Sequence, residues 1–393
     1  MTTLAVDVAI AGAGLPGMSL AVALAHAGLR VALVDRAAIA LPDFDPATWE
    51  ARVYAISPGS ARFLHATGAW QALPPERITA IESMHVVGDG GACLDFSAYE
   101  MNERALAWIV EERALRAALL PQVRSAGVEV IGEAPFVGLS FTPEAALLTL
   151  GGAAPGELQA RLLVGADGVR SWVRAAAGIL AEPRSYGQSA VVANFSCALA
   201  HHGVARQWFQ DDGGVLAWLP LPGRRISIVW SAPEALAGEL RALAPDALAA
   251  RVMEAGDGAL GALVPLTAAA TFPLSLLRLP ATVAHRLALV GDAAHGIHPL
   301  AGQGMNLGFG DAEVLAQVLR ERGPVTDPGA PVLLQRYARR RAEPVLAMQA
   351  VTDGLARLFG PPTPWLKSLR NVGLAAVDRL PLVKRMMAQP ALR

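Results

Sequence analysis

The chain's 393 residues can bury large cores and, at roughly 100 to 200 residues per domain, are enough for two or three domains. Lys and Arg number 33 against 34 Asp and Glu, a net of -1, so no global positive field exists to hold a nucleic-acid backbone, and nucleic acid is excluded as a partner class. Cys93 and Cys197 are too few and too far apart for a disulfide framework or a four-ligand zinc site, and they fit a reducing, cytoplasmic compartment.

In chain order, Val6-Asp-Val-Ala-Ile-Ala reads as a buried parallel strand, Leu15 to Ala27 as a helix and Arg30-Val-Ala-Leu-Val as a second strand: one βαβ unit. Val8 to Leu29 carries no Lys, Arg, Asp or Glu and is long enough to span a membrane, but Gly12, Gly14, Pro16 and Gly17 break it into strand, turn and soluble helix. The N-terminus lacks the basic start and clean apolar core of a secretory signal. The same three glycines have G-x-G-x-x-G spacing at the strand-to-helix junction, where backbone N–H groups can approach a pyrophosphate. Asp35 closes the second strand eighteen residues after Gly17, placed to accept hydrogen bonds from a ribose diol, with Arg36 beside it as a further cofactor contact. This unit alone does not separate FAD from NAD.

Two later segments have the same grammar of strand, Asp and helix. Leu162 to Arg174 contains Gly165-Ala-Asp-Gly-Val-Arg-Ser; Asp167-Gly168 alone reads equally as a turn or as a site, and in the company of the other two segments Asp167 is assigned to the cofactor. In Leu287 to Asn306, Asp292 at a strand end can hold ribityl hydroxyls. Backbone N–H groups of Gly304, Met305 and Asn306 at a helix N-terminus can face the pyrimidine end of a flavin, which becomes anionic on reduction. That arrangement favours FAD. No third ligand is spaced to make a metal site with His295 and His298.

In composition and order, these segments resemble the three signatures of class A flavoprotein monooxygenases. His298-Pro-Leu-Ala-Gly-Gln-Gly-Met-Asn-Leu-Gly, Arg52-Val-Tyr-Ala-Ile-Ser-Pro-Gly-Ser and Trp108-Ile-Val-Glu-Glu-Arg-Ala-Leu are similar to the ubiquinone-biosynthesis hydroxylases. The resemblance implies non-covalent FAD, NAD(P)H as a transient co-substrate without a second Rossmann domain, and O2 activation on reduced flavin, with one oxygen atom passing to a prenylated phenol or quinol ring. It assigns Arg52, on a loop beside the flavin, and Pro299 as catalytic positions. Arg113 is assigned to the diphosphate, and Gly302 joins the helix-N-terminal cofactor contacts; guanidinium forks suit phosphate oxygens. Neither His295 nor His298 is assigned as a base. Glu112 stands where the family usually has Asn, and a carboxylate repelled by a diphosphate is expected to point away. A hydroxylase of another aromatic metabolite and a catalytically silent FAD-binding subunit remain open.

The expected fold is α/β: a Rossmann-like FAD-binding domain from 1–80, 103–182 and 276–345, an inserted, mostly antiparallel substrate domain from 81–102 and 183–275, and a helical tail over 346–393. Gln207 to Trp230 alternates strand-like runs with turns at Gly213-Gly214 and Pro222-Gly223; Phe209, Trp218 and Trp230 read as core before they read as ring-stacking residues. From Pro361 onward, Lys367, Arg370, Arg379, Lys384, Arg385 and Arg393 oppose Asp378 alone, a net of +5. Leu366, Leu369, Gly373, Ala376 and Leu380 recur at helical spacing. Two readings of this segment stand: ordinary packing on the body, or a surface that meets pathway proteins or the inner membrane. Oligomeric state is open, a homo-oligomer included.

Overall fold

A computed structural model describes residues 3–42, 45, 47–152, 156–299, 302–359, 364–378, 380, 384–385, 389 and 391–392. Thr3–Ala11 is central to the first sheet, pairing in parallel with Val31–Val34 on one side and Glu157–Gly165 on the other. Glu129–Ile131 and Leu287–Leu289 extend the parallel run, and Val283–Ala284 closes it antiparallel. Val8 to Ala11 are all buried, as a strand covered on both faces requires. The helix Leu15–His26 lies against the helices Glu112–Ser125 and Gly304–Arg320, so its Leu15, Met18, Leu20, Val22 and Leu24 are enclosed. Burial between protein layers explains the long uncharged stretch. Among the described residues, no helix is long and apolar enough to cross a membrane.

A second sheet runs Leu263–Pro265, Arg184–Cys197, Arg225–Pro233, Val215–Leu221, Val204–Phe209, Ser83–Val87 and Cys93–Ser97, and Ala270–Leu276 also pairs with Arg184–Cys197. All pairings are antiparallel except Val204–Phe209 with Ser83–Val87. Alternate side chains divide its faces. Val191, Ala193, Trp218, Ile228 and Trp230 lie under the helices Glu234–Ala242 and Pro245–Ala255. On the opposite face, Ala205 and Leu221 meet Ile81, Ala107 and Ile109 of a small sheet made by Val53–Ile56, Ala107–Glu111 and Thr79–Ile81. That small sheet joins the two larger ones. Trp218 and Trp230 are core, and Phe209 stacks on Phe359 at 3.6 Å between ring centroids.

The helix Pro331–Leu358 runs unbroken across residues 345 and 346, and the tail then forms Pro364–Asp378. Of the two readings of the tail, packing accounts for the cations that can be followed. Arg370 and Asp89 are a buried ion pair, Lys367 meets Asp211 at 2.5 Å, Lys384 meets Asp378 at 2.7 Å, and Arg385 Nε donates to the Glu100 carbonyl. Those four cations hold the tail to the body or to itself, so packing is the reading that applies to them. The apolar stripe is also shifted: Leu374 and Val377 pack against Val86, Leu94, Phe209 and Val215, while Gly373, Ala376 and Leu380 face outward. Pro361, Arg379, Arg393 and the side chains of Leu366 and Leu369 lie outside the described residues.

Candidate cofactor cleft and its supports

The glycine-rich turn is shaped by backbone approaching backbone. At Gly12, with φ +114°, a Cβ would sit 2.3 Å from the Ala166 carbonyl oxygen; at Gly17 it would sit 2.1 Å from that of Gly12. Neither distance is tolerable for a side chain. Gly14 differs, because its nearest protein neighbour would be Pro16 Cδ at 4.0 Å, and the residue lines the cleft. Asp35 Oδ2 accepts from Ala13 N at 2.7 Å and its Oδ1 from Ala37 N at 2.9 Å, bracing the turn, while Arg36 is exposed.

Gly14, Leu15 and Pro16 share this cleft with Ala166 and Gly168, Gly291 and Asp292, Gly304, Met305 and Gly308, and Arg52, Tyr54 and Glu112. All three sequence signatures therefore reach one place. The helices starting at Leu15 and Gly304 both lack a side-chain cap, so their first N–H groups are available to a ligand. Asp292 lines the cleft and its carboxylate is open to it; desolvation by the surrounding walls pushes its pKa up, His295 and Arg52 pull it down, and Asp311 pushes it up. Uncapped donors at one end, and a carboxylate beside uncapped donors at the other, suit a diphosphate, a polyol and the carbonyl-rich edge of a flavin. The cleft fits FAD.

Several side chains differ from expectation. Asp167 accepts from Trp172 N at 2.7 Å and Val173 N at 3.0 Å, and Ser171 Oγ donates to it as well; its carboxylate caps the helix Trp172–Ala176, and only its neighbours Ala166 and Gly168 line the cleft. A short strand-to-helix turn leaves uncapped N–H groups nearby, and Asp167 satisfies them. Arg113 is turned to Thr48 Oγ1 at 2.9 Å and Glu111 at 3.2 Å and is absent from the cleft lining. The helix period explains this: Glu112 and Arg116, four apart, share the cleft-side face, and Arg116 Nη1 donates to the Ala13 carbonyl at 3.2 Å. Glu112 points into the cleft rather than away. Arg52 Nε binds it at 2.9 Å and Tyr54 Oη donates to it at 3.3 Å, so a cation neutralises the carboxylate.

The Asn306 side chain is turned to the protein, accepting from Ser57 N at 3.0 Å and donating to the Ala55 carbonyl at 2.8 Å, which ties the helix start to the strand after Arg52. Gly302, at φ +61°, donates its N–H to the Pro299 carbonyl at 2.8 Å. Neither residue is in the cleft lining. The loop is braced by a network that sequence reasoning missed: Asp311 Oδ2 takes His295 Nε2 at 2.6 Å and Gly291 N at 2.8 Å, and its Oδ1 takes Arg341 Nε at 2.6 Å. Burial alone would push the Asp311 carboxyl up, but the His295 and Arg341 charges and hydrogen bonds hold it below the usual carboxylate range. Its only advance signal is an acid in a helix otherwise apolar on that side.

A family model described as FAD binding domain matches residues 5–352. Ubiquinone hydroxylase UbiL of Rhodospirillum rubrum is 36% identical over 98% of this chain and 89% of its own length. The 3-demethoxyubiquinol 3-hydroxylase of Escherichia coli is 34% identical over the whole of both chains. Among solved structures, Pseudomonas aeruginosa PqsL in complex with 2-aminobenzoylacetate superposes with a TM-score of 0.78 at 26% identity, covering 94% of this chain and 99% of that one. Motif order, cleft geometry and end-to-end similarity agree: the chain belongs to the FAD-binding-domain family of flavoprotein monooxygenases, in the branch of the ubiquinone-biosynthesis hydroxylases.

Proposed function

We propose that this enzyme hydroxylates a prenylated phenol or quinol ring in ubiquinone biosynthesis, with non-covalent FAD, NAD(P)H and O2. The convergence of two uncapped helix starts and Asp292 on one cleft supports it, in a chain whose ubiquinone-pathway relatives match along their length. FAD, when bound, supplies electron storage and oxygen activation. The protein's part is placement. The Leu15 helix start would hold the diphosphate, Asp35 the ribose, Asp292 the ribityl hydroxyls, and the Gly304 helix start the ring edge that gains negative charge on reduction. Arg52 balances Glu112 at this cleft and also stacks 5.5 Å from the Phe272 ring on the second sheet, linking flavin side to substrate side. We assign the flavin side to 1–80, 103–182 and 276–345 and the substrate side to 81–102 and 183–275.

The test is product analysis with purified protein, FAD, NAD(P)H, O2 and a short-chain prenylphenol. The expected result is a ring carrying one added oxygen atom. NAD(P)H consumption without hydroxylated product would instead favour another aromatic substrate, and flavin that NAD(P)H cannot reduce would favour a silent subunit. Because a prenylated ring partitions into lipid, we infer that substrate is taken up at the inner-membrane surface; co-sedimentation with anionic vesicles is expected at low salt, and protein left wholly in the supernatant contradicts that inference.

A further inference from the structure

His298 lies six positions after Asp292 and six before Gly304, on the loop between the cleft and the second sheet. It is 1% exposed, its ring is edge-on to Tyr186 at 4.9 Å, and Nε2 is 3.0 Å from Gln188 Oε1. The Gln188 amide is oriented by its other end, where Nε2 donates to the Gly213 carbonyl at 3.1 Å. Gln188 Oε1 must therefore accept, and His298 Nε2 must carry the proton. Nδ1 is left as an unprotonated acceptor, buried and without a partner among the described residues. A buried acceptor with nothing to accept costs stability unless a ligand or water fills the role.

The surroundings point to a ligand on the substrate side. Gln188 shares a sheet face with Ala190 and Val192, opposite the face covered by helices. Small residues continue across that face, with Ala190 paired to Ser231 and Val192 to Val229, and Val229 paired in turn to Ala217 on the next strand. Ala217 and Val229 are only half-buried, so this part of the face is partly open. Phe272, paired with Ala190, carries Arg52 over its ring and so ties this face to the cofactor cleft.

We propose that His298 contacts the substrate: its Nδ1 accepts a hydrogen bond from the ring hydroxyl, and Gln188 is the positioning residue that fixes the tautomer. Burial pushes the His298 pKa down to about 4, opposed by Asp353, so the ring is neutral and orients the hydroxyl rather than removing its proton. This assignment rests on the hydroxylase reading above. It goes beyond that reading by naming the group that discriminates a phenol from an arene.

The test compares binding of a short-chain prenylphenol with that of the analogue bearing hydrogen in place of the hydroxyl, titrated into the FAD-loaded protein and followed by flavin absorbance. Wild type should prefer the phenol by about tenfold or more, because the analogue leaves Nδ1 unpaired. His298→Gln keeps a donor toward Gln188 but loses the Nδ1 acceptor, and should erase the preference with FAD affinity unchanged. His298→Asn places an amide oxygen near the Nδ1 position and should restore it. A His298→Gln protein that still prefers the phenol, or a His298→Asn protein that holds FAD and does not, overturns the assignment alone. If His298→Gln fails to fold, the His298→Asn result decides. A wild type that binds and hydroxylates neither compound overturns the hydroxylase reading and this assignment together.

Discussion

The cofactor cleft and the C-terminal helix are both held at close quarters, but by opposite means. In the cleft, backbone meets backbone at Gly12 and Gly17 and two helix starts are left uncapped, so side chains enter mainly as Asp292, Arg52 and Glu112. The tail is held by side chains: Arg370 to Asp89, Asn371 to the turn at Gly90 and Ala92, and Leu374 and Val377 in an apolar cluster. A site made of backbone leaves room for an anionic ligand to supply the missing partners. A contact made of paired charges is already satisfied within the protein.

The largest effect is expected at the tail. Arg370→Ala leaves the Asp89 carboxylate buried without its partner, which should cost about 3 to 5 kcal/mol in chemical denaturation while FAD affinity of the folded fraction stays unchanged. A loss under about 1 kcal/mol would mean that this pair does not hold the tail. In the cleft, Asp292→Ala removes charge-assisted hydrogen bonds worth about 1.5 to 3 kcal/mol. FAD affinity, measured by flavin fluorescence titration, should therefore fall roughly ten- to a hundredfold, with folding stability kept. Unchanged affinity would remove Asp292 from the site. The smallest effect belongs to Lys367→Gln, whose partner Asp211 is exposed: within about 1 kcal/mol in stability, and nothing in flavin binding.

The same contrast explains what the sequence made legible. Gly12, Gly14 and Gly17 are readable because a Cβ at two of them would strike a carbonyl and at the third would intrude on the cleft; physics leaves few residue choices, so spacing carries meaning. Asp292 and Gly304 are readable for a similar reason, as a strand end and a helix start facing one another. Asp167 was half-legible, since a strand end followed by Asp-Gly looks the same whether the carboxylate serves a ligand or caps the next helix. Arg116, one turn of helix beyond Arg113, takes the cleft-side position, and the orientation of Glu112 is hidden in the sequence because its neutralising partner, Arg52, comes sixty residues earlier in the chain. Partners so distant in sequence, as also Arg370 with Asp89 or Asp311 with Arg341, leave no spacing to read.

The most direct test of a backbone-built FAD cradle is the absorbance spectrum and FAD titration of purified Gly14→Val protein. Gly14 is extended, at φ -72° and ψ 173°, and a Cβ there meets no protein atom closer than 4.0 Å, so valine is compatible with the fold. Its methyl groups would instead occupy the space where the diphosphate must approach the Leu15 helix start. The account predicts a protein that unfolds at the wild-type denaturant midpoint yet is pale and does not take up added FAD. A correctly folded Gly14→Val protein with a full flavin spectrum and wild-type affinity would contradict it.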